Sequence, residues 1–198
     1  MTEITGIHRL RMGTDGEGVS TLVAFYGCPL RCEYCINPHC WDENTSRTYM
    51  HPQSVIDELI KDDMYVRMTG GGVVFGGGEP LLHTDYILEV LNILPVGWKC
   101  RIETSLNVPW ECIEKITDKV NAWYIDIKDY NAEIYEAYTG RDNKQVLENL
   151  DRLSELVSKK KIRIRIPRIP GFNDEKDIEV SKAYFKKYGK VEVFDYII

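Results

Sequence analysis

The chain has 198 residues, 43% hydrophobic and 28% charged, with a net charge of −6 and a pI near 5.3. That length suffices for one domain spanning residues 1–198 with a sizeable core, and the acidic balance argues against a nucleic-acid binder working through a broad basic surface. No stretch approaches the ~20 apolar residues that span a bilayer, and the N-terminus lacks the apolar run of a secretory signal, so a cytoplasmic location is expected.

The first predicted strand is Val19–Gly27, VSTLVAFYG. Directly after it, GCPLRCEYCINP places Cys28, Cys32 and Cys35 at a C-x3-C-x2-C spacing. His51–Asp63 reads as a helix with a proline near its start, GVVFGG as a second strand and DYILEVLNIL as a second helix. WKCRIETS is a strand, PWECIEKITDKV a helix, AWYIDIK a strand, and NAEIYEAYTG and NKQVLENLDRLSELVSKK two helices. KIRIRIP is a strand, DEKDIEVSKAYFKKYG a helix and KVEVFDYI the last strand. Strand and helix alternate about six times, which implies parallel strands with helical crossovers. A doubly wound sheet and a partial (β/α) barrel both fit, and either puts chemistry at the C-terminal ends of strands.

Six cysteines in a reducing compartment do not read as three disulfides. Three thiolates within eight residues suit a soft metal or an iron–sulfur cluster. Structural zinc ordinarily takes four ligands, often as two C-x2-C pairs, and here there is one such pair. Cys40 or His39 would complete a closed site; without either, a cubane cluster keeps one iron open to substrate.

The cysteine spacing, with Tyr34 before the last cysteine, resembles the signature of radical S-adenosylmethionine (SAM) enzymes. The resemblance implies that Cys28, Cys32 and Cys35 hold a [4Fe-4S] cluster, with Tyr34 and Asn37 at the cofactor. The open iron would take the amino and carboxylate groups of SAM, and reductive cleavage would release a 5′-deoxyadenosyl radical. The fold it implies is a partial (β/α)6 barrel.

Further motifs resemble one branch, the glycyl radical enzyme activating enzymes. Glycine admits close backbone approach because it has no Cβ, and TGGGVVFGGGEP matches that branch, implying that Gly77, Gly78 and Glu79 meet the methionine amino group. In YIDIKDY, residues two apart share a strand face, so Asp126 and Lys128 point the same way. The plainer alternative is a strand-end salt bridge at the surface. The resemblance implies a monovalent cation site at Glu103, Thr104 and Asp126, and places Lys128 among the catalytic residues at the bound substrate. In KIRIRIP, Ile162, Ile164 and Ile166 share one face and Arg163 and Arg165 the other. The resemblance favours Arg165 as a cofactor ligand and leaves Arg163 and Arg168 open. YTGRDN, matching the branch from Tyr138 to Asn143, reads physically as a turn between two helices.

The chain departs from the branch in places. The D-G-P-G-x-R loop at which the target peptide enters is DGEGVS here: Asp15, Gly16 and Gly18 are kept, while Glu17 and Ser20 replace proline and arginine. Ile36 replaces a histidine, and after Tyr196 come only Ile197 and Ile198 where the branch has a histidine and a tail, so a truncated, more open barrel, or a partner that closes it, is expected. About forty residues between Cys35 and the second glycine run are too few for a ferredoxin-like insert, which implies one cluster.

The resemblance therefore implies an enzyme that abstracts hydrogen from a glycine of a partner glycyl radical enzyme, fed by flavodoxin or ferredoxin under anaerobic conditions. The alternatives are another small radical SAM enzyme (a deazaguanine synthase or a peptide maturase) and a zinc or electron-transfer domain with Cys40 as fourth ligand. His8, His51 and His83 read as structural, Met64 and Met68 as core residues, and SKKK at Ser158–Lys161 as a solvated helix end.

Overall fold

A computed structural model describes residues 1–195, so Tyr196 and the two residues after it lie outside the described residues. The described residues include eight strands. The chain divides into two compact units. The first is Met1–Cys28, Asn37–Glu103 and Asp118–Ala122; the second is Pro29–Ile36, Thr104–Thr117 and Trp123–Ile198.

The first unit opens with β1 (Thr2–Met12), β2 (Val19–Phe25) and β3 (Thr48–Met50). Helices α1 (Pro52–Leu59) and α2 (Asp63–Thr69), strand β4 (Gly72–Gly77), helix α3 (Thr84–Asn92) and strand β5 (Lys99–Thr104) follow. Every residue of β2 is buried, and Val73, Val74 and Phe75 of β4 are fully so. Strands buried along their whole length belong to parallel sheets covered on both faces, and β2, β4 and β5 are parallel, with Phe25 opposite Gly77. Val55, Ile56 and Leu59 of α1 and Ile87 and Val90 of α3 are buried beside them.

Two expectations fail in this unit. The first strand is β1, not the predicted Val19–Gly27, which is β2, and β1 pairs antiparallel with both β2 and β3. Register shifts after Ile4 and after His8 break the two-residue period that a regular strand shows in sequence. Met64 and Met68 are 62% and 81% exposed and are not core; Val66 is the buried residue of α2.

The second unit holds α4 (Trp110–Glu114), β6 (Ala122–Asp126, all but its first residue), α5 (Ala132–Thr139), α6 (Lys144–Leu156), β7 (Ile162–Arg168), α7 (Glu175–Phe185) and β8 (Lys190–Asp195). Strands β6, β7 and β8 are parallel. Ile162, Ile164 and Ile166 are fully buried, as the alternation predicts, and Val146, Leu150 and Leu153 recur on α6 at helical spacing. Because β8 flanks β7, the arginine strand is not an edge. The predicted helix over Pro109–Val120 shortens to α4 and a 3-10 turn at Thr117–Lys119. Helix α6 ends at Leu156, and Ser158 instead caps a separate exposed turn at Lys159–Lys161. Among the described residues no helix is long and apolar enough to cross a membrane.

Candidate functional site

In the first unit the end of β2 leads into Cys28 through Gly27, whose φ of 101° suits glycine. The Gly27 N–H donates to the Cys40 carbonyl at 2.7 Å, and its own carbonyl accepts from the Glu79 N–H at 2.7 Å. Asn37 Nδ2 donates to the Gly77 carbonyl at 3.3 Å. Cys28 is half-buried. Cys40 is buried, with its Sγ 3.6 Å from Thr5 Oγ1.

The glycines after β4 are needed by the chain itself. A Cβ on Gly77 would lie 2.8 Å from Ala24, and one on Gly78 only 2.2 Å from the Gly27 carbonyl oxygen. Glycine here lets two strand ends approach each other, a reason the sequence reading did not reach. Glu79 is buried and caps the turn at Pro80–His83, its Oε1 accepting from the Leu81 N–H at 3.3 Å. The Glu103 carboxylate packs over Gly76, where a Cβ would meet it at 3.1 Å.

The loop carrying Asp15 and Gly16 is internally braced. Asp15 is buried; its two oxygens accept from Arg11 Nε and Nη2, each at 2.6 Å, and one accepts also from Ser20 Oγ at 2.9 Å. Burial opposes the Asp15 charge, but the Arg11 bonds hold its carboxyl below the ordinary carboxylate range. Arg11 and Ser20 thus give a loop that departs from the branch pattern its own anchor, and Arg101 donates to the Glu17 carbonyl. His83 behaves as the structural residue it was read to be. It stacks on Phe25 at 4.9 Å, with Nδ1 2.8 Å from Thr2 Oγ1 and Nε2 2.7 Å from the Tyr26 carbonyl.

The second unit carries Cys32 and Cys35, both half-buried, in a turn where the Cys35 N–H donates to the Cys32 carbonyl at 3.2 Å. Burial pushes the Cys32 thiol up in pKa, Lys128 opposes that shift, and Cys35 and Asp126 add to it. Arg165 Nε and Nη2 donate to the two oxygens of Asp126 at 2.6 and 3.1 Å, a bidentate pair. Burial alone would raise the Asp126 pKa, but Arg165 and Lys128 hold it below the ordinary range. The Arg165 guanidinium also lies 5.4 Å from the Tyr124 ring centre. The second unit therefore gathers Cys32, Asp126, Lys128 and Arg165, although β6 ends at Asp126 and Lys128 lies beyond it.

Four further placements were not foreseen. The Thr104 hydroxyl accepts from the Leu106 N–H at 2.9 Å, shaping a turn in which Leu106 has φ of 59°. Arg168 pairs with Glu175 and Asp195 on the surface, and Arg163 lies 3.8 Å from Glu192. Tyr34 stands edge-on to Phe172 at 5.9 Å.

All six cysteines are thiols rather than disulfides. Cys100 is a core residue whose thiol burial pushes up to about 12. Cys28 in the first unit and Cys32 and Cys35 in the second are half-buried, and the Lys128 ammonium opposes the burial that raises the Cys32 thiol. Soft donors in that setting fit an iron–sulfur cluster. Among the described residues no three His, Cys, Asp or Glu side chains are grouped to hold a single metal ion.

A family model described as the Radical SAM superfamily matches residues 22–182. The chain is 27% identical over 222 residues to the (2S)-3-sulfopropanediol dehydratase activating enzyme of Klebsiella oxytoca, covering 81% of this chain and 69% of that protein. It is 30% identical over 196 residues to the pyruvate formate-lyase-activating enzyme of Staphylococcus epidermidis, covering 93% and 76%. A solved domain of pyruvate-formate lyase-activating enzyme from Bacteroides vulgatus matches 64% of this chain and 81% of its own length, at 28% identity and a TM-score of 0.55.

Proposed function

This chain belongs to the radical SAM superfamily, and from that premise we propose that it is a glycyl radical enzyme activating enzyme. That it is an enzyme of SAM radical chemistry follows from the family and from activating-enzyme relatives; the substrate, a glycine of a partner protein, is the proposed part. The observation that best supports the site is the joining of Cys32, Lys128, Asp126 and Arg165 within one unit, four residues that the sequence motifs single out independently.

In this reading Cys28, Cys32 and Cys35 hold a [4Fe-4S] cluster, with SAM at its open iron, and together these groups supply a strong hydrogen-atom abstractor when bound. The chain's own residues position and shield rather than transfer protons. Lys128 offsets the clustered negative charge near Cys32. Arg165 keeps Asp126 ionised and oriented. Gly77, Gly78 and Glu79 present the end of β4 to the methionine amino group, with Tyr34 and Asn37 bordering the cofactor. The Asp15 and Gly16 loop, anchored by Arg11, receives the partner's glycine segment. Against a monovalent cation at Glu103, Thr104 and Asp126 stands the local bonding, since Asp126 already has Arg165 and Thr104 already shapes a turn. A low-potential flavodoxin or ferredoxin and an anaerobic setting complete the proposal.

The test uses anaerobically reconstituted protein with dithionite and SAM, beside Cys40→Ala. Both proteins are expected to form 5′-deoxyadenosine and, with a glycyl radical enzyme added, a glycine-centred radical signal in electron paramagnetic resonance. Failure of both to cleave SAM, with zinc bound in place of iron, would overturn the reading.

A further inference from the structure

YTGRDN has no part in the function just proposed, yet its backbone is bonded to the cysteine loop. A helix leaves its last four carbonyls without partners inside the helix. In α5 two of these, on Tyr138 and Thr139, accept from the N–H groups of Glu33 at 3.1 Å and Arg31 at 2.9 Å. Those two donors flank Cys32. Arg141 Nε donates to the Pro29 carbonyl at 3.4 Å. The Tyr138 ring lies 6.2 Å from that of Tyr34, the residue before Cys35, and 5.1 Å from Phe172.

The turn is itself built to hold those carbonyls in place. Gly140 takes a φ of 74° and ends the helix, as a left-handed cap requires. Buried Thr139 donates its hydroxyl to the Tyr135 carbonyl at 2.7 Å and accepts from the Arg141 N–H at 3.2 Å. Asn143 Nδ2 donates to the Tyr130 carbonyl at 2.8 Å, and Asn107 Nδ2 to the Asp142 carbonyl at 3.3 Å.

We propose that residues 138–141 are a positioning brace for the cysteine loop, setting the backbone on both sides of Cys32 and the ring before Cys35 ahead of ligand arrival. What the loop then holds rests on the function proposed above; the brace does not. Thr139 and Arg141 are its positioning residues.

The test compares the wild-type chain with Thr139→Val, Thr139→Ser and Arg141→Ala by two readouts. Amide hydrogen exchange at Arg31 and Glu33 is followed in metal-free protein, and iron release to a strong chelator in reconstituted protein. Thr139→Val is expected to exchange about tenfold faster at both amides and to release iron several-fold faster, with Arg141→Ala shifted the same way by less. Thr139→Ser keeps the hydroxyl and is expected to match wild type. Wild-type exchange at both amides in Thr139→Val and Arg141→Ala overturns the brace. Iron release that rises only in step with lost global stability in urea overturns it too. If Thr139→Val does not fold, Arg141→Ala decides by the same readouts. A chain that takes up no iron sinks the cluster reading, while amide exchange still decides the brace.

Discussion

Asp126 keeps its negative charge against the opposing effect of burial, because Arg165 grips both its oxygens and Lys128 adds a second positive field. The sign of the pH dependence follows. Its folded pKa lies below the unfolded value of about 4, so the stabilisation is fully present above that value. It is lost as pH falls through the depressed folded value. In urea titrations across pH, Asp126→Asn is expected to be less stable at neutral pH and to show a flatter acid limb below about pH 4. An acid limb identical to wild type would remove Asp126 from the acid response. At Gly78 the argument is steric. An added Cβ meets the Gly27 carbonyl at 2.2 Å, and both neighbours are backbone that cannot rotate away. Gly78→Ala is expected to cost about 3 kcal/mol or more. Gly97→Ala, at a φ of 92° in open space, should cost only the left-handed conformation, about 1–2 kcal/mol. Equal losses in denaturant midpoint would mean the β2 and β4 ends can move apart.

Helix α2 illustrates how an element can mislead. Met64 and Met68 stand four apart and read as a buried stripe, but only Val66 of α2 turns inward. Replacing both methionines with glutamine should change unfolding free energy by no more than ~0.5 kcal/mol per site. A loss above ~2 kcal/mol would mean they pack against something. Strand β1 misleads the other way. Its alternation is broken by two register shifts and a positive φ at Leu10, so it carries no clean period. It is nevertheless well anchored, by Arg9 in a bidentate pair with buried Asp62 and by Thr2 with His83. The turn after α5 was legible as a turn, through Gly140 and Asn143, but its purpose was not. The groups that matter there are carbonyls, which every residue has.

Across the molecule, the candidate site residues could be named from sequence alone. Clustered cysteines are rare donors whose spacing constrains what they can bind, and the alternation of strand and helix after β2 implies parallel strands with helical crossovers. Apart from β1 and β3, the order of strands and helices followed from periodicity, as did the burial of Ile162, Ile164 and Ile166. Tertiary structure alone decided the antiparallel β1 and β3, the partner of Asp126, the crowding that demands Gly77 and Gly78, and the bonds from the end of α5 to the cysteine loop. Most of these depend on groups distant in sequence, Arg31 and Thr139 being about a hundred residues apart. Most of them use the backbone, which is chemically the same at nearly every position, so only the folded chain reveals which amide meets which carbonyl.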